Sequence, residues 1–276
     1  MIPAAFDYEV AESVEHALDV LGGDADAKLL AGGHSLVPAL KFRIARPSKL
    51  VDIGRLADLA YVRDAGDSIA IGALTRHAAV QADALLQAEC GIVSTTAAKI
   101  GDPQVRHRGT IGGSLAHGDP ASDLPAVMLA LGAEFVVVGK AGERTVSADA
   151  FFTGVFETAV GQGEMLTEIR VPKLGAAGWS YLKFHRRAQD WATVGVAVVQ
   201  SGAGGTGATV ALTNMGGTPV RASAVESALA GGASTADAAA HAADGTDPSS
   251  DTAASAGFRK HLARVLTQRA LDEALA

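Results

Sequence analysis

Two short glycine-containing stretches carry the residue types that could bind a negatively charged group. The first covers residues 31–35 with the sequence AGGHS, and the second covers residues 110–114 with the sequence TIGGS. Paired glycines let successive backbone N–H groups point into one concavity, and no Cβ blocks an approaching phosphate. The helix expected after the first stretch would add the positive end of its dipole. We therefore expect these stretches, the first and second glycine loops, to meet around one diphosphate.

The two loops do not match the common phosphate-binding motifs. Neither has the pattern GxGxxG or GxxxxGK[ST], so neither the dinucleotide fingerprint nor the P-loop is present. A glycine pair alone is typical of a structural turn. Both loops, however, adjoin a strand or a helix, and Ser35 and Thr110 add hydroxyl donors. A shared nucleotide site and two separate structural turns both stay open at this point.

Three polar side chains in or near these stretches have alternative roles. His34 could order the first loop or act as an acid or base. Asp123 could cap the helix that follows it or accept a hydrogen bond from a ribose hydroxyl. Lys183 lies in a predicted strand, where an exposed lysine is ordinary and an inward one unusual. The basic run 106–108 is typical of a solvated face.

Composition excludes several classes of protein. The chain has 276 residues, of which 48% are hydrophobic and 19% charged, as expected for a globular protein of one large domain or two. Its net charge of −7 argues against binding to nucleic acid. No apolar run approaches the roughly 20 residues of a spanning helix. The start, MIPAAFDYEV, lacks the features of a signal peptide, so we expect a cytoplasmic protein.

The cysteine and histidine content argues against chemistry at a protein-bound metal. Cys90 is the only cysteine, and its setting, AECGIV, is typical of a buried structural thiol. One thiol cannot form an internal disulfide or supply the four ligands of an iron–sulfur cluster. The histidines show no HExxH spacing. We expect the chemistry to come from an organic cofactor and no metal to be bound by this chain.

The pattern before residue 56 places the first loop between a strand and a helix. A helix is predicted over 12–21, capped by Ser13, and a short strand over 28–31. The first glycine loop then leads into a helix over 37–43, and a strand returns over 50–53.

The pattern from residue 56 to Pro172 places the second loop among helices. Thr75 is expected to cap a helix running to residue 86. Asp123 and Pro125 suit the first turn of a helix that Gly132 ends. The remaining predicted elements are a strand over 68–71, a helix over 91–100, and strands over 135–138 and 166–172.

After Pro172 the pattern changes to longer strands that we expect to be antiparallel. They cover 179–184, 194–200 and 209–214, with a glycine-rich hairpin turn at 202–207. Helices are predicted over 222–230 and 258–276. Between them, residues 231–255 are rich in small and polar residues and are expected to form a loop or weak helix at the surface.

Three segments together resemble a known family. They are AGGHSLVPALKFRIARPSKLVDI (31–53), RGTIGGSLAHGDPASDLPAVMLALGAEF (108–135) and YLKFHRRAQDWATVGVAVV (181–199). They resemble the FAD-binding medium subunit of molybdenum-containing hydroxylases, the carbon monoxide dehydrogenase and xanthine dehydrogenase family, in order and spacing. The resemblance implies an α+β fold with a PCMH-type FAD-binding domain in two parts, 1–55 and 56–172. A C-terminal domain of antiparallel sheet and helices would cover 173–276.

The resemblance also implies a set of cofactor-binding residues. The flavin diphosphate would lie between the glycine loops, Asp123 would hydrogen-bond the cofactor, and Lys183 would lie near the isoalloxazine ring. Leu166 would be an apolar contact and Ile100 would pack on the flavin. The full set is Leu29, Leu30, Ala31, Gly32, Gly33, His34, Ser35, Leu36, Ile100, Thr110, Ile111, Gly112, Gly113, Ser114, Asp123, Leu166 and Lys183.

The function implied by the resemblance is electron transfer. The chain would take electrons from a small partner subunit with [2Fe–2S] clusters and pass them to an external acceptor. A large partner subunit would carry the molybdenum cofactor and hydroxylate the substrate, and the assembly would be a dimer of heterotrimers. Two alternatives are a self-sufficient FAD-dependent oxidase or reductase with its own organic substrate, and a non-catalytic nucleotide-binding module.

Overall fold

The structure is a computed structural model that describes residues 1–276. The N-terminal part consists of β1 (Asp7–Val10), α1 (Val14–Gly23), β2 (Lys28–Leu30), α2 (Leu36–Lys41) and β3 (Lys49–Asp52). The strands form a parallel sheet in the order β1-β3-β2. The Ser13 side chain caps α1 by accepting from the His16 N–H, as predicted. Strand β1 was not predicted, because its DYEV sequence is largely exposed and not apolar.

The second part is built around a five-stranded antiparallel sheet. Its strands are β4 (Val62–Asp64), β5 (Ser68–Gly72), β6 (Glu134–Gly139), β7 (Gly142–Ser147) and β10 (Glu164–Pro172), in the order β4-β5-β10-β6-β7. The helices are α3 (His77–Ala82), α4 (Ala84–Glu89), α5 (Gly91–Ala98), α6 (Pro103–Arg108), α7 (Ile111–His117), α8 (Asp123–Leu131) and α9 (Ala148–Phe151). A short hairpin, β8 (Phe152–Gly154) and β9 (Glu157–Thr158), and a 3-10 turn at Ala57–Leu59 complete it.

The prediction of one helix capped by Thr75 was wrong. The chain forms two helices there, because Asp83 adopts an extended backbone and its side chain caps α4 through the Leu86 N–H. The Thr75 hydroxyl instead hydrogen-bonds the backbone of Tyr61, accepting from its N–H at 3.0 Å. An aspartate inside an apolar pattern can begin a new helix, and the hydrophobic spacing alone does not reveal this.

The C-terminal part is an antiparallel sheet with helices on one face. The strands β11 (Trp179–Phe184), β12 (Val194–Gln200), β13 (Ala208–Thr213) and β14 (Val220–Arg221) pair in chain order. The helices are α10 (Ser223–Ala230), α11 (Thr235–Ala239) and α12 (Ala256–Ala274). The bounds of β11 and β12 agree with the predicted ones, and the α+β class is confirmed. The domain bounds 1–55, 56–172 and 173–276 stay a prediction.

The expectation that residues 231–255 form a simple surface segment was wrong. Ala238 and Ala242 are fully buried, and they pack in one cluster with Leu262 and Leu266 of α12. Alanine buries little apolar area by itself, but its small side chain lets two helices approach closely. The composition that suggested a solvated loop therefore forms part of the C-terminal core.

Helix α8 lies between the two larger sheets and positions the site. All of its residues are buried, which is the pattern of a helix surrounded by protein. It belongs to a core that combines β5, β6 and β10 with α5 and with residues Tyr181 and Ala197 of the C-terminal sheet. The first residue of α8, Asp123, therefore lies where the second and C-terminal parts meet. None of the helices combines the length and apolarity needed to cross a membrane.

Candidate functional site

The two glycine loops are in contact. A Cβ placed on Gly32 would overlap the Arg108 carbonyl and would lie 2.8 Å from the Cα of Gly109. A Cβ placed on Gly113 would lie 3.9 Å from the Cβ of Ala31. Gly32 is thus required for the backbones of the two segments to approach, and the loops face one another as the sequence suggested.

The first loop offers backbone donors that the fold does not use. Strand β2 ends at Leu30 and α2 begins at Leu36, and the N–H groups of residues 31–35 donate to no acceptor in the chain. Gly33 has a positive φ of 77°, which turns the chain here. The His34 ring lies 3.2 Å from the Gly32 carbonyl oxygen, in keeping with a loop-ordering role. Successive free N–H groups form the type of concavity that binds anions.

The stretch predicted as the second glycine loop is, in the structure, Thr110 as the N-cap of α7 followed by the first four residues of that helix, and its N–H groups are already bonded. The Ile111 N–H donates to the Thr75 carbonyl at 3.0 Å, and the Gly112 N–H donates to the Ala73 carbonyl at 2.9 Å. The Gly113 N–H donates to the Thr110 hydroxyl at 3.1 Å. The expectation that both glycine pairs present free N–H groups was therefore wrong for this loop. Here glycine serves close packing, because a Cβ on Gly112 would lie 2.8 Å from the Cα of Ala73.

A hydroxyl pair joins the second loop to the start of α8. The Ser114 and Ser122 hydroxyl oxygens are 3.0 Å apart. Ser122 is the N-cap residue of α8, and Asp123 is the first residue of the helix. The interpretation of Asp123 as the helix cap was therefore wrong, and its carboxylate is available for other contacts.

Asp123 is the centre of a buried polar cluster. Its Oδ1 accepts from the Tyr181 hydroxyl at 2.6 Å, and its Oδ2 accepts from Lys183 Nζ at 2.9 Å. Lys183 Nζ also donates to the Lys99 carbonyl oxygen at 3.1 Å. The Lys183 and Asp123 side chains are only 2% and 4% exposed. The ordinary expectation of an exposed lysine in this strand was wrong, because Asp123 supplies a counter-charge inside the protein.

Burial dominates the electrostatics of this cluster. Removal from water raises the pKa of Asp123 above its usual value, and the charge of Lys183 with the Tyr181 hydrogen bond opposes part of that shift. Burial and the Asp123 carboxylate raise the pKa of Tyr181 well above 10.0. Tyr181 therefore stays a hydrogen-bond donor to the carboxylate.

Two further candidate residues, Ile100 and Leu166, lie at different depths. Ile100 is partly exposed and follows Lys99, whose carbonyl binds Lys183. Leu166 is 6% exposed and lies within the core, opposite Val137 in the neighbouring strand. The structure thus brings the two glycine loops into contact, joins them to Asp123 through the Ser114–Ser122 pair, and links Asp123 to Lys183 and to the backbone next to Ile100, whereas Leu166 is a residue of the main core.

Sequence reasoning missed Tyr181 and Lys99. Tyr181 lies two positions before Lys183 in β11, so both side chains point to the same face of the sheet. That spacing was a usable signal for Tyr181. Lys99 acts through its carbonyl, and its own Nζ donates to the Tyr181 carbonyl at 2.7 Å. A backbone contact of this kind leaves no pattern in the sequence.

A cavity in the C-terminal part and the single thiol lie outside the candidate site. A cavity of about 550 Å³ lies in the C-terminal part, lined by residues that include Gln200, Leu229 and Glu273, and neither glycine loop lines it. Cys90 is fully buried, and burial raises the pKa of its thiol to about 12. The interpretation of Cys90 as a buried structural thiol is confirmed.

Known proteins match this chain over its whole length. The family model "FAD binding domain in molybdopterin dehydrogenase" matches residues 4–174, and "CO dehydrogenase flavoprotein C-terminal domain" matches residues 179–274. The carbon monoxide dehydrogenase medium chain of Hydrogenophaga pseudoflava is 42% identical, over 100% of this chain and 99% of its own length. Subunit alpha of the 6-hydroxypseudooxynicotine dehydrogenase complex of Paenarthrobacter nicotinovorans is 43% identical, over 100% and 96%.

The solved structures agree with these relatives. A structure of carbon monoxide dehydrogenase from Hydrogenophaga pseudoflava that lacks the Mo-pyranopterin moiety superimposes with a TM-score of 0.96. It is 42% identical and covers 99% of this chain and 98% of its own.

Proposed function

This chain belongs to the FAD-binding medium subunits of the carbon monoxide dehydrogenase and xanthine dehydrogenase family, and from that premise we propose how its residues hold the cofactor. It is the flavoprotein component of a molybdenum-containing dehydrogenase, and its cofactor is FAD. When bound, the flavin supplies the acceptance and release of electrons. The residues of this chain bind the cofactor, orient it and set the charge around it.

At the phosphate end, the first glycine loop binds the FAD diphosphate. The supporting observation is the run of N–H groups from Ala31 to Ser35 that have no acceptor in the chain. Helix α2 has only 6 residues, so these N–H groups matter more here than a helix dipole. The second loop forms the opposite wall and contributes the Thr110 and Ser114 hydroxyls, and Leu29, Leu30 and Leu36 hold the first loop in place.

At the ring end, the Asp123–Lys183 pair sets the electrostatic environment of the isoalloxazine. A lysine charge near the ring stabilises the reduced flavin. Asp123 holds that charge in position and partly offsets it. Replacing Lys183 with Met is therefore expected to lower the flavin reduction potential, and an unchanged potential would remove this role. Ile100 packs near the ring, and Leu166 supports it from the core.

The chain works as part of a larger assembly. The relatives are called a medium chain and a subunit of a dehydrogenase complex. We propose a small partner with [2Fe–2S] clusters, which this chain with one cysteine cannot hold, and a large partner with the molybdenum cofactor. The partners form a dimer of heterotrimers in the cytoplasm. The bounds proposed for this chain are 1–55 and 56–172 for the FAD-binding domain and 173–276 for the C-terminal domain.

The test is co-production of this chain with a [2Fe–2S] subunit and a molybdenum-cofactor subunit from the same organism. We expect a complex that carries FAD and whose flavin is reduced only when the large subunit and its substrate are present. Reduction of the flavin by an organic substrate with no partner present would favour a self-sufficient oxidase instead. A complex that takes up no FAD would contradict the proposal.

A further inference from the structure

One arginine outside the predicted set is fixed at the second glycine loop by its backbone. Arg76 forms an isolated antiparallel bridge with Thr110. Hydrogen bonds on either side secure it: the His77 N–H donates to the Gly109 carbonyl at 3.0 Å, and the Ile111 N–H donates to the Thr75 carbonyl at 3.0 Å. The backbone of Arg76 is therefore held against this loop by hydrogen bonds on both sides.

Its side chain extends toward the first loop. Arg76 Nη1 donates to the carbonyl oxygen of Arg108. That same carbonyl packs on Gly32, where it excludes any Cβ. The guanidinium of Arg76 is thus bonded to the carbonyl at which the segment before the second loop meets Gly32 of the first loop.

The guanidinium has no counter-ion there. Its only hydrogen bond is to the Arg108 carbonyl, and Asp52 acts on it by charge without forming an ion pair. Burial and the charge of Arg108 lower the pKa of Arg76, so the position is unfavourable for a cation. The adjacent His77 is 3% exposed, and its Nδ1 also has no partner.

We propose that Arg76 binds the diphosphate of the cofactor, from the side of the second loop. This inference rests on the proposed function and adds a residue to its site. The N–H groups of Ile111, Gly112 and Gly113 are already bonded, so this side can donate only through side chains, and Arg76 adds a charged donor to the neutral hydroxyls of Thr110 and Ser114. A guanidinium supplies a full positive charge and paired donors that match a phosphate. The first loop then fixes the direction of the diphosphate, and the charge of Arg76 neutralises part of the negative charge of the diphosphate.

The test compares FAD affinity in the assembled complex after its flavin has been removed. The variants are Arg76→Gln, Arg76→Lys and, as a matched control, Arg55→Gln, which removes an exposed arginine near the first loop. Quenching of flavin fluorescence gives the Kd for FAD, and competition gives the affinity for ADP, which has the diphosphate but no flavin ring. Arg76→Gln should weaken both by about ten- to a hundredfold, the usual value of a hydrogen bond to a charged group.

Arg76→Lys keeps the charge and should weaken FAD binding about three- to tenfold, since the paired geometry is lost. Arg55→Gln should stay within about twofold of the unmodified complex. The inference would be overturned if Arg76→Gln behaved like Arg55→Gln, or if FAD binding weakened while ADP binding did not. Should the Gln variant fail to assemble, unchanged affinity in Arg76→Lys would overturn it. An unmodified complex that bound no FAD would contradict the proposed function itself.

Discussion

The two glycine loops have similar sequences, AGGHS and TIGGS, but their backbone donors are in opposite states. In the first loop the N–H groups of residues 31–35 have no partner in the chain. In the second, the N–H groups of Ile111, Gly112 and Gly113 are all bonded, and beyond it the Asp123–Lys183 pair is also satisfied internally. The first glycine pair keeps donors free for a ligand and also lets Gly32 pack against the Arg108 carbonyl, whereas the second pair serves packing alone.

This comparison divides the site into two ends. The open end is the first glycine loop, and the closed end is the second glycine loop with the Asp123–Lys183 pair. Changes at the closed end should act on stability, because its polar groups depend on one another. Changes in the first loop that leave the packing of Gly32 intact should act mainly on cofactor affinity, because the free donors of this loop serve only the ligand. The predictions below test this division.

The largest effect is expected from Lys183→Met. It leaves the Asp123 carboxylate buried without its cation, and removal of one partner from a buried pair costs about 3–5 kcal/mol. Urea unfolding of the full chain measures this loss. Lys140→Met, which breaks the exposed pair with Asp19, is the matched control and should change stability little. Equal losses in the two variants would show that the closed end is not held by its ion pair.

A pH-dependent loss of similar size is expected at His77, beside the second loop. Burial lowers the pKa of His77 from 6.5 to about 4, so the folded chain keeps it neutral while the unfolded chain takes up a proton. The contribution of neutral His77 to the free energy of unfolding is intact above pH 6.5. It is lost progressively as the pH falls to about 4, and the total loss is roughly 3 kcal/mol. Unfolding measured at several pH values should show a shallower dependence for His77→Gln. The exposed His261→Gln should keep the original profile.

Gly112→Ala should destabilise the closed end by steric conflict. The new Cβ would overlap Ala73, and overpacking of this kind costs about 1–3 kcal/mol. Gly113→Ala is the control, because Gly113 is exposed and its Cβ would meet the Thr110 hydroxyl at 2.7 Å and otherwise only the Ala31 Cβ, at the ordinary contact distance of 3.9 Å. Denaturant midpoints of the two variants measure the difference. A smaller loss for Gly112→Ala than for Gly113→Ala would contradict the packing role.

The smallest change in stability, but a clear change in affinity, is expected for Gly33→Ala. An alanine at φ 77° lowers the free energy of unfolding by about 1–2 kcal/mol. A change in backbone dihedrals that relieved this strain would also change the direction of the N–H groups of the loop. Gly66→Ala introduces similar strain at φ 83° in an open turn far from the loops. Both should lose similar stability, but only Gly33→Ala should weaken FAD binding in the complex, by about tenfold or more. Equal FAD affinities would argue against a cradle at the first loop.

Much of the fold could be predicted from the sequence, because hydrophobic periodicity defines long elements well. Strand β11 and strand β12 were predicted at their observed bounds, and Gly132 ends α8 with φ 62° as expected. The break at Asp83 and the burial of Ala238 were not predicted. Each depends on a single side chain or on close packing, and neither changes the hydrophobic pattern.

The site was only partly predictable for the same reason. The glycine loops are visible in the sequence, and their shared glycine and hydroxyl residues led to the prediction that they meet. Which N–H groups remain free depends on acceptors distant in the chain, such as the Ala73 and Thr75 carbonyls. The inward position of Lys183 depends on Asp123, 60 residues away. Such pairings arise only in the folded chain.

The most direct test of the central claim is hydrogen–deuterium exchange of the complex, with and without FAD. The amides of residues 31–35 should exchange rapidly without FAD and become protected when it binds. The amides of Ile111, Gly112 and Gly113 should be protected in both states. Unchanged exchange at residues 31–35 in a complex that holds FAD would contradict the assignment of the diphosphate to the first glycine loop.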